Sequence, residues 1–198
     1  MPSHPLIGVL AFQGDVREHH EVLQSLNVTS IDVRSREDLQ QVHALIIPGG
    51  ESTVLSKFFA ATEMDQAIIE RSHCEAFPMY GTCAGAILLS EEIVEEDIVQ
   101  PLKLIDIAVE RNSYGRQAES FERRISVALD GSMREINAVF IRAPRIVRAG
   151  RGVTVLATCD GDPVLCRQGS VLVSTFHPEL LAGDQSLHQM FVEMCNRQ

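Results

Sequence analysis

Pro78-Met-Tyr-Gly-Thr-Cys83-Ala-Gly-Ala-Ile-Leu-Leu-Ser90 reads as a short buried strand, a sharp turn and an apolar helix. The turn holds Gly81-Thr82-Cys83-Ala84-Gly85, a G-x-C-x-G pattern. This is the sulfur form of the nucleophile elbow, in which the reactive side chain sits on a strained strand-to-helix corner. Glycines flank it because a Cβ on either side would crowd so tight a bend. A corner of this kind sets the sulfur at a helix N-terminus, where unpaired N–H groups and the helix dipole favour thiolate over thiol. A buried cysteine beside helix-packing glycines would write the same letters. The rest of the chain has to separate the two.

Upstream of the elbow the pattern repeats. Leu6 to Phe12 is a continuous apolar run, as expected of a strand buried on both faces of a parallel sheet. Gln13-Gly14-Asp15 turns it, with Asp15 placed to cap a helix on which Val16, His19, His20, Leu23 and Leu26 recur at helical spacing. Val28 to Val33 is a second strand, Arg36 to Val42 a short helix, and Ala44 to Ile47 a third strand ending in Pro48-Gly49-Gly50-Glu51-Ser52. Two helical stretches follow, around Val54 to Phe59 and Met64 to Ile69, before Phe77 to Tyr80 feeds the elbow. This alternation predicts an α/β fold with a doubly wound, mostly parallel central sheet and flanking helices.

Downstream the rhythm changes. Leu102 to Glu110, Phe121 to Ala128, Ile136 to Ile141, Val153 to Thr158, Pro163 to Arg167 and Val171 to Phe176 read as strands with little helix between them. Asp160-Gly161-Asp162 and Gln168-Gly169-Ser170 are hairpin-type turns. An antiparallel extension in the C-terminal half is therefore expected, closed by a helix over Leu187 to Met194. The carboxylate-rich run Glu91 to Asp97 reads as a solvated helix end. With no repeat, linker or low-complexity run, residues 1–198 are expected to form a single domain.

A chain of 198 residues that is 45% hydrophobic has the length for a sizeable core. Its net charge of −10 argues against nucleic acid or an anionic membrane surface as partner. The five cysteines are odd in number and lack metal-ligand spacing, which points to free thiols in a reducing compartment. No segment approaches the length of a membrane span or resembles a secretion signal, so a cytoplasmic protein is expected, with no cofactor and no metal.

A nucleophilic cysteine needs a base, and the base needs an orienting group. Thr175-Phe176-His177-Pro178-Glu179 offers both at the end of a predicted strand, since residues two apart on an extended segment point to one side. A lone histidine is more often a surface or core residue; pairing with the elbow reverses those odds for His177. The other histidines are less persuasive: His19 and His20 sit on a helix, and His43 and His188 lack a carboxylate two residues on. For the oxyanion, the N–H of Ala84 and those of Gly49-Gly50 are candidates, because both loops lie beyond the carboxyl ends of strands. Arg111 and Arg142 each follow an apolar strand and suit a two-pronged carboxylate contact, though either also reads as a solvated charge.

Taken together, Pro48-Gly-Gly-Glu-Ser52, Gly81-Thr-Cys-Ala-Gly85 and Phe176-His-Pro-Glu179 resemble the class I, triad-type glutamine amidotransferases. Phe12-Gln-Gly14, Val16-Arg-Glu-His19, Val109 to Gln117, Ser120-Phe-Glu122 and Phe140-Ile-Arg-Ala-Pro144 narrow this to the glutaminase subunits of pyridoxal 5′-phosphate synthases. The resemblance implies a flavodoxin-like class I glutaminase that hydrolyses L-glutamine to L-glutamate and ammonia. Cys83 would form a γ-glutamyl thioester, His177 would shuttle protons and Glu179 would orient His177. Gly50 and Ala84 would hold the oxyanion, and Gly49, Gly50, Glu51, Arg111, Ile141 and Arg142 would bind glutamine. The partner implied is a (β/α)8-barrel synthase subunit in a large ring complex, which receives the ammonia for vitamin B6 synthesis.

Two other readings compete. A stand-alone γ-glutamyl hydrolase, or the glutaminase of another pathway, would keep the triad, but the Glu110-Arg-Asn-Ser113 and Ile141-Arg-Ala-Pro144 segments argue against it. A non-catalytic protein using Cys83 as a redox sensor would have no need of His177 and Glu179.

Overall fold

The computed structural model describes residues 5–94, 98–111, 120–129, 131–181 and 183–197. The order runs β1 (Ile7–Leu10), α1 (Val16–Ser25), β2 (Ser30–Val33), α2 (Arg36–Gln41), β3 (Ala44–Ile47), α3 (Ser52–Thr62), α4 (Met64–Cys74), β4 (Met79–Thr82) and α5 (Ala84–Leu89). There follow β5 (Ser90–Ile93), β6 (Ile105–Glu110), β7 (Phe121–Leu129), β8 (Ser132–Phe140), β9 (Arg145–Ala149), β10 (Thr154–Cys159), β11 (Asp162–Gln168) and β12 (Val171–Ser174). A 3₁₀ turn, Pro178–Leu180, and α6 (Ser186–Asn196) end the chain.

Nine strands form one sheet in the order β2-β1-β3-β4-β12-β11-β10-β7-β8. The first five are mutually parallel, and β12 onward pairs antiparallel. The C-terminal strands therefore extend the parallel sheet edge to edge, as the loss of helical segments after the elbow predicts. The Asp160-Gly161 turn joins β10 to β11 with both residues at positive φ, 51° and 94°, the conformation a two-residue hairpin loop demands.

Side-chain alternation divides the core in two. On β1 and β3, Ile7, Val9, Ala44 and Ile46 face one layer with Leu23 of α1 and Leu187 and Phe191 of α6. Leu10, Leu45 and Ile47 face the other, with Leu39, Leu55, Phe59, Ile68 and the apolar side of α5. Strands buried on both faces read as unbroken apolar runs for this reason. Helix α5 lies so close to β3 that a Cβ on Gly85 would stand 2.1 Å from the carbonyl oxygen of Ile47. The second glycine of the G-x-C-x-G pattern is thus needed for backbone packing as well as for the bend.

Two expectations need correction. Glu91 to Ile93, read as part of a solvated helix end, form with Ser90 a strand parallel to β6 that belongs to a second sheet, β5-β6-β9. Its exposed Glu91 and Glu92 sit between buried Ser90 and Ile93, so the charges hid a strand that is buried only at its ends. Residues 95–97 of that run lie outside the described residues, as do 112–119. Strand β9 was not anticipated; its burial alternates only in part, over a sequence rich in arginine.

Candidate active site

Four neighbouring parallel strands, β1, β3, β4 and β12, present the loops that follow them along one edge of the sheet. Those loops carry Asp15, Gly49-Gly50, Cys83 and His177 respectively. The register of β4 against β12 sets Thr82 opposite Ser174, and the Cys83 N–H donates to the Ser174 carbonyl at 2.8 Å. The elbow and the histidine segment are therefore tied at their backbones. From the far edge of the sheet β8 curls over, and the His177 N–H donates to the Val139 carbonyl at 2.9 Å. This carries Ile141 and Arg142 to the same place.

Cys83 has φ 47° and ψ −101°, a left-handed conformation that a residue with a Cβ holds only when its surroundings enforce it. Its Sγ lies 3.8 Å from the Ile141 carbonyl. Ala84 opens α5, where the first N–H groups lack partners within the helix. Gly49 and Gly14 pack together: a Cβ on Gly14, at φ 97°, would lie 1.7 Å from the Gly49 oxygen. The Gly49 N–H donates to Thr82 Oγ1 at 2.9 Å, which anchors the glycine loop to the end of the elbow strand.

His177 and Glu179 are buried, and His177 Nδ1 lies 2.8 Å from Glu179 Oε1. Asp15 joins them, with Oδ2 3.1 Å from the same nitrogen. Burial opposes a charge on His177, but Asp15, Cys83 and Glu179 outweigh it and hold its pKa above the ordinary histidine value. The bond to His177 in turn lowers the Asp15 carboxyl, against a smaller effect of burial. Burial pushes the Glu179 carboxyl up, opposed by His177.

Behind Glu179 lies a second polar group. His19 Nε2 is 3.5 Å from Glu179 Oε2 and 3.3 Å from Thr82 Oγ1, and His19 Nδ1 is 2.9 Å from His188 Nε2. Both histidines are fully buried. Burial holds His19 well below the ordinary histidine value, with the charge of His188 adding to it, and burial brings His188 down to about 4.

Cys83, His177, Gly50, Glu51, Arg111, Ile141 and Arg142 line one cavity of about 250 Å³. That is just below the usual range for ligand pockets, about 300–1,000 Å³, and suits an amino acid better than a nucleotide. Two guanidinium groups share it with the carboxylates of Glu51 and Asp15, a charge pattern matched to a zwitterion. Glu51 is also the cap of α3, accepting from the Thr53 and Val54 N–H groups at 3.2 and 3.1 Å. The Arg111 guanidinium donates to Thr53 Oγ1 at 3.0 Å and stands 3.6 Å from Glu51. Gly49 and Ala84 stand beside the cavity, and Glu179 behind His177.

The structure departs from the sequence reading at three residues. Asp15 occupies the cap position of α1 but makes no side-chain cap bond; its carboxylate turns to His177. His19, set aside as a helix residue, faces inward four positions before buried Leu23, and that spacing was its signal. His188 is brought in by α6, where it stands three and four positions before buried Phe191 and Val192.

A model of the SNO glutamine amidotransferase family matches residues 9–197. The chain is 48% identical over 188 residues to a pyridoxal 5′-phosphate synthase subunit PdxT of Thermotoga petrophila, covering 95% of this chain and 98% of that one. It is 46% identical over 198 residues to the PdxT of Mycobacterium leprae, covering 98% of each. A solved structure described as a glutamine amidotransferase superposes with a TM-score of 0.89 at 45% identity, covering 96% of this chain and 98% of that one.

Proposed function

The chain belongs to the SNO glutamine amidotransferase family, and from that premise we propose that it is the glutaminase subunit of a pyridoxal 5′-phosphate synthase. It hydrolyses the side-chain amide of L-glutamine and passes the ammonia to a synthase subunit. The observation that carries this reading is the convergence on one cavity of a strained Cys83, a buried His177–Glu179 pair at 2.8 Å and two arginines.

Glutamine enters with its carboxylate on Arg111 and Arg142 and its amide over Cys83, held further by Gly49, Gly50, Glu51 and Ile141. The thiol proton passes to His177 as Sγ attacks the amide carbon, and the negative oxygen is met by the N–H groups of Gly50 and Ala84. His177 then gives its proton to the leaving nitrogen, releasing ammonia and leaving a γ-glutamyl thioester. In the second half His177 takes a proton from water, which attacks the thioester. Glutamate departs and the thiol regains its proton. Glu179 holds His177 Nδ1 throughout, as the third member of a triad does.

The synthase partner is a (β/α)8 barrel assembled in a ring that carries the glutaminases. The whole chain acts as a single domain in the cytoplasm; among the described residues no helix is long and apolar enough to cross a membrane. The test uses glutamine carrying ¹⁵N in its amide, supplied with a PdxT-dependent synthase subunit, a pentose phosphate and a triose phosphate. Label in the pyridine ring that disappears with Cys83→Ala supports the proposal. Free labelled ammonia with an unlabelled ring would assign the chain to the stand-alone hydrolases instead.

A further inference from the structure

Aspartate at a helix cap normally turns its carboxylate onto the first N–H groups of the helix. Asp15 does not. Its Oδ2 approaches His177 Nδ1 at 3.1 Å, while Glu179 Oε1 approaches the same atom at 2.8 Å. One N–H is claimed by two carboxylates and can point well at only one of them. On the other side of the ring, Nε2 is buried and has no hydrogen-bond partner among the described residues, although Cys83 acts on the imidazole electrostatically. We propose that Asp15 is a positioning residue that restrains His177: it draws the imidazole toward the loop ahead of α1 and favours its protonated form over the form that activates water.

The effect of Asp15 on turnover rests on the glutaminase reading; its hold on His177 does not. Two anionic groups at one edge of an imidazole favour the imidazolium. An imidazolium can protonate the departing nitrogen, but it cannot take a proton from the hydrolytic water. Asp15 therefore slows the second half of the reaction wherever that step limits turnover. The remaining groups facing His177 are Glu179 from its own segment, Cys83 from the elbow and His19 from α1, the last held neutral by burial. Arg111, Arg142 and Glu51 line the same cavity. Of the two carboxylates, the Glu179 side chain is 0% exposed and that of Asp15 35% exposed. Only Asp15 can leave the imidazole without stranding a buried charge.

The experiment compares the full chain with Asp15→Asn by two readouts. One is the pH profile of kcat for glutamate release between about pH 5 and 9; the other is the ring-nitrogen NMR titration of His177, which needs no turnover. The acid limb of kcat should move down by about 0.5–1 pH unit in Asp15→Asn, and His177 should titrate lower by a similar amount. Below the limb the variant should then be roughly 3–10-fold faster than the parent. Asp15→Ser, which can cap α1, should behave alike and covers a folding failure of the first variant. An unmoved His177 titration, or a uniform loss of kcat with an unmoved limb, would overturn the proposal. A lowered titration with no turnover in either protein would uphold the hold of Asp15 on His177 and sink the glutaminase reading alone.

Discussion

Lowering the pH should destabilise this protein in part through His188. It is fully buried on α6, 2.9 Å from His19 and edge-on to the Tyr80 ring at 6.0 Å. Burial takes its pKa from 6.5 to about 4. Between those values the unfolded chain binds a proton that the folded protein refuses. The contribution is therefore fully present above about pH 6.5 and is lost as pH falls toward 4, at about 1.36 kcal/mol per pH unit. From pH 6.5 to 4.5 that makes about 2.7 kcal/mol. His188→Gln removes the titrating group while an amide can still meet His19. At pH 7 the variant should be about 1–3 kcal/mol less stable, through lost packing and a weakened hydrogen bond. At pH 4.5 that deficit should shrink by roughly 2.7 kcal/mol, because only the parent carries the penalty. Urea unfolding at pH 7, 5.5 and 4.5 measures this, with m-values checked for constancy. A deficit unchanged within about 0.5 kcal/mol between pH 7 and 4.5 would refute the reasoning.

Other perturbations follow from the same geometry. Gly85→Ala forces a methyl against the Ile47 carbonyl and should cost about 3 kcal/mol or prevent folding, read by thermal unfolding; an unchanged midpoint would contradict the packing of α5 on β3. Cys83→Gly should stabilise the fold by about 1–2 kcal/mol, since glycine relieves the strain at φ 47°, while abolishing turnover. A loss of stability there would mean the elbow is unstrained. His177→Asn should lower kcat more than Glu179→Gln, because proton transfer is a larger effect than orientation, and steady-state kinetics showing the reverse order would count against the assigned roles.

Much of the parallel half was legible because its strands are buried on both faces and its helices keep a regular apolar spacing. The Ala44–Ile47 strand and the elbow were readable nearly to the residue for that reason. Strands β5 and β9 were not, since each is short and only partly buried, with Glu91-Glu92 in one and Arg145 and Arg148 in the other. The same division holds at the site. Cys83 and the His177–Glu179 pair announce themselves through short local patterns. Asp15, His19 and His188 act through side chains brought together by topology: the first two precede or lie on α1, the third is 169 positions from His19. Asp15 carried a misleading local signal, because an aspartate ahead of a helix reads as a cap. Only the sheet order β1-β3-β4-β12, which lines up the loops after these strands, makes it a neighbour of His177.

The most direct test of the central claim is intact-mass and peptide analysis of the protein quenched during turnover of L-glutamine with a synthase subunit present. The account predicts a γ-glutamyl adduct confined to the peptide containing Cys83, absent in Cys83→Ala and discharged on standing as glutamate appears. Glutamate released at the same rate by Cys83→Ala, or released by the parent with no adduct on Cys83 at any quench time, would contradict it.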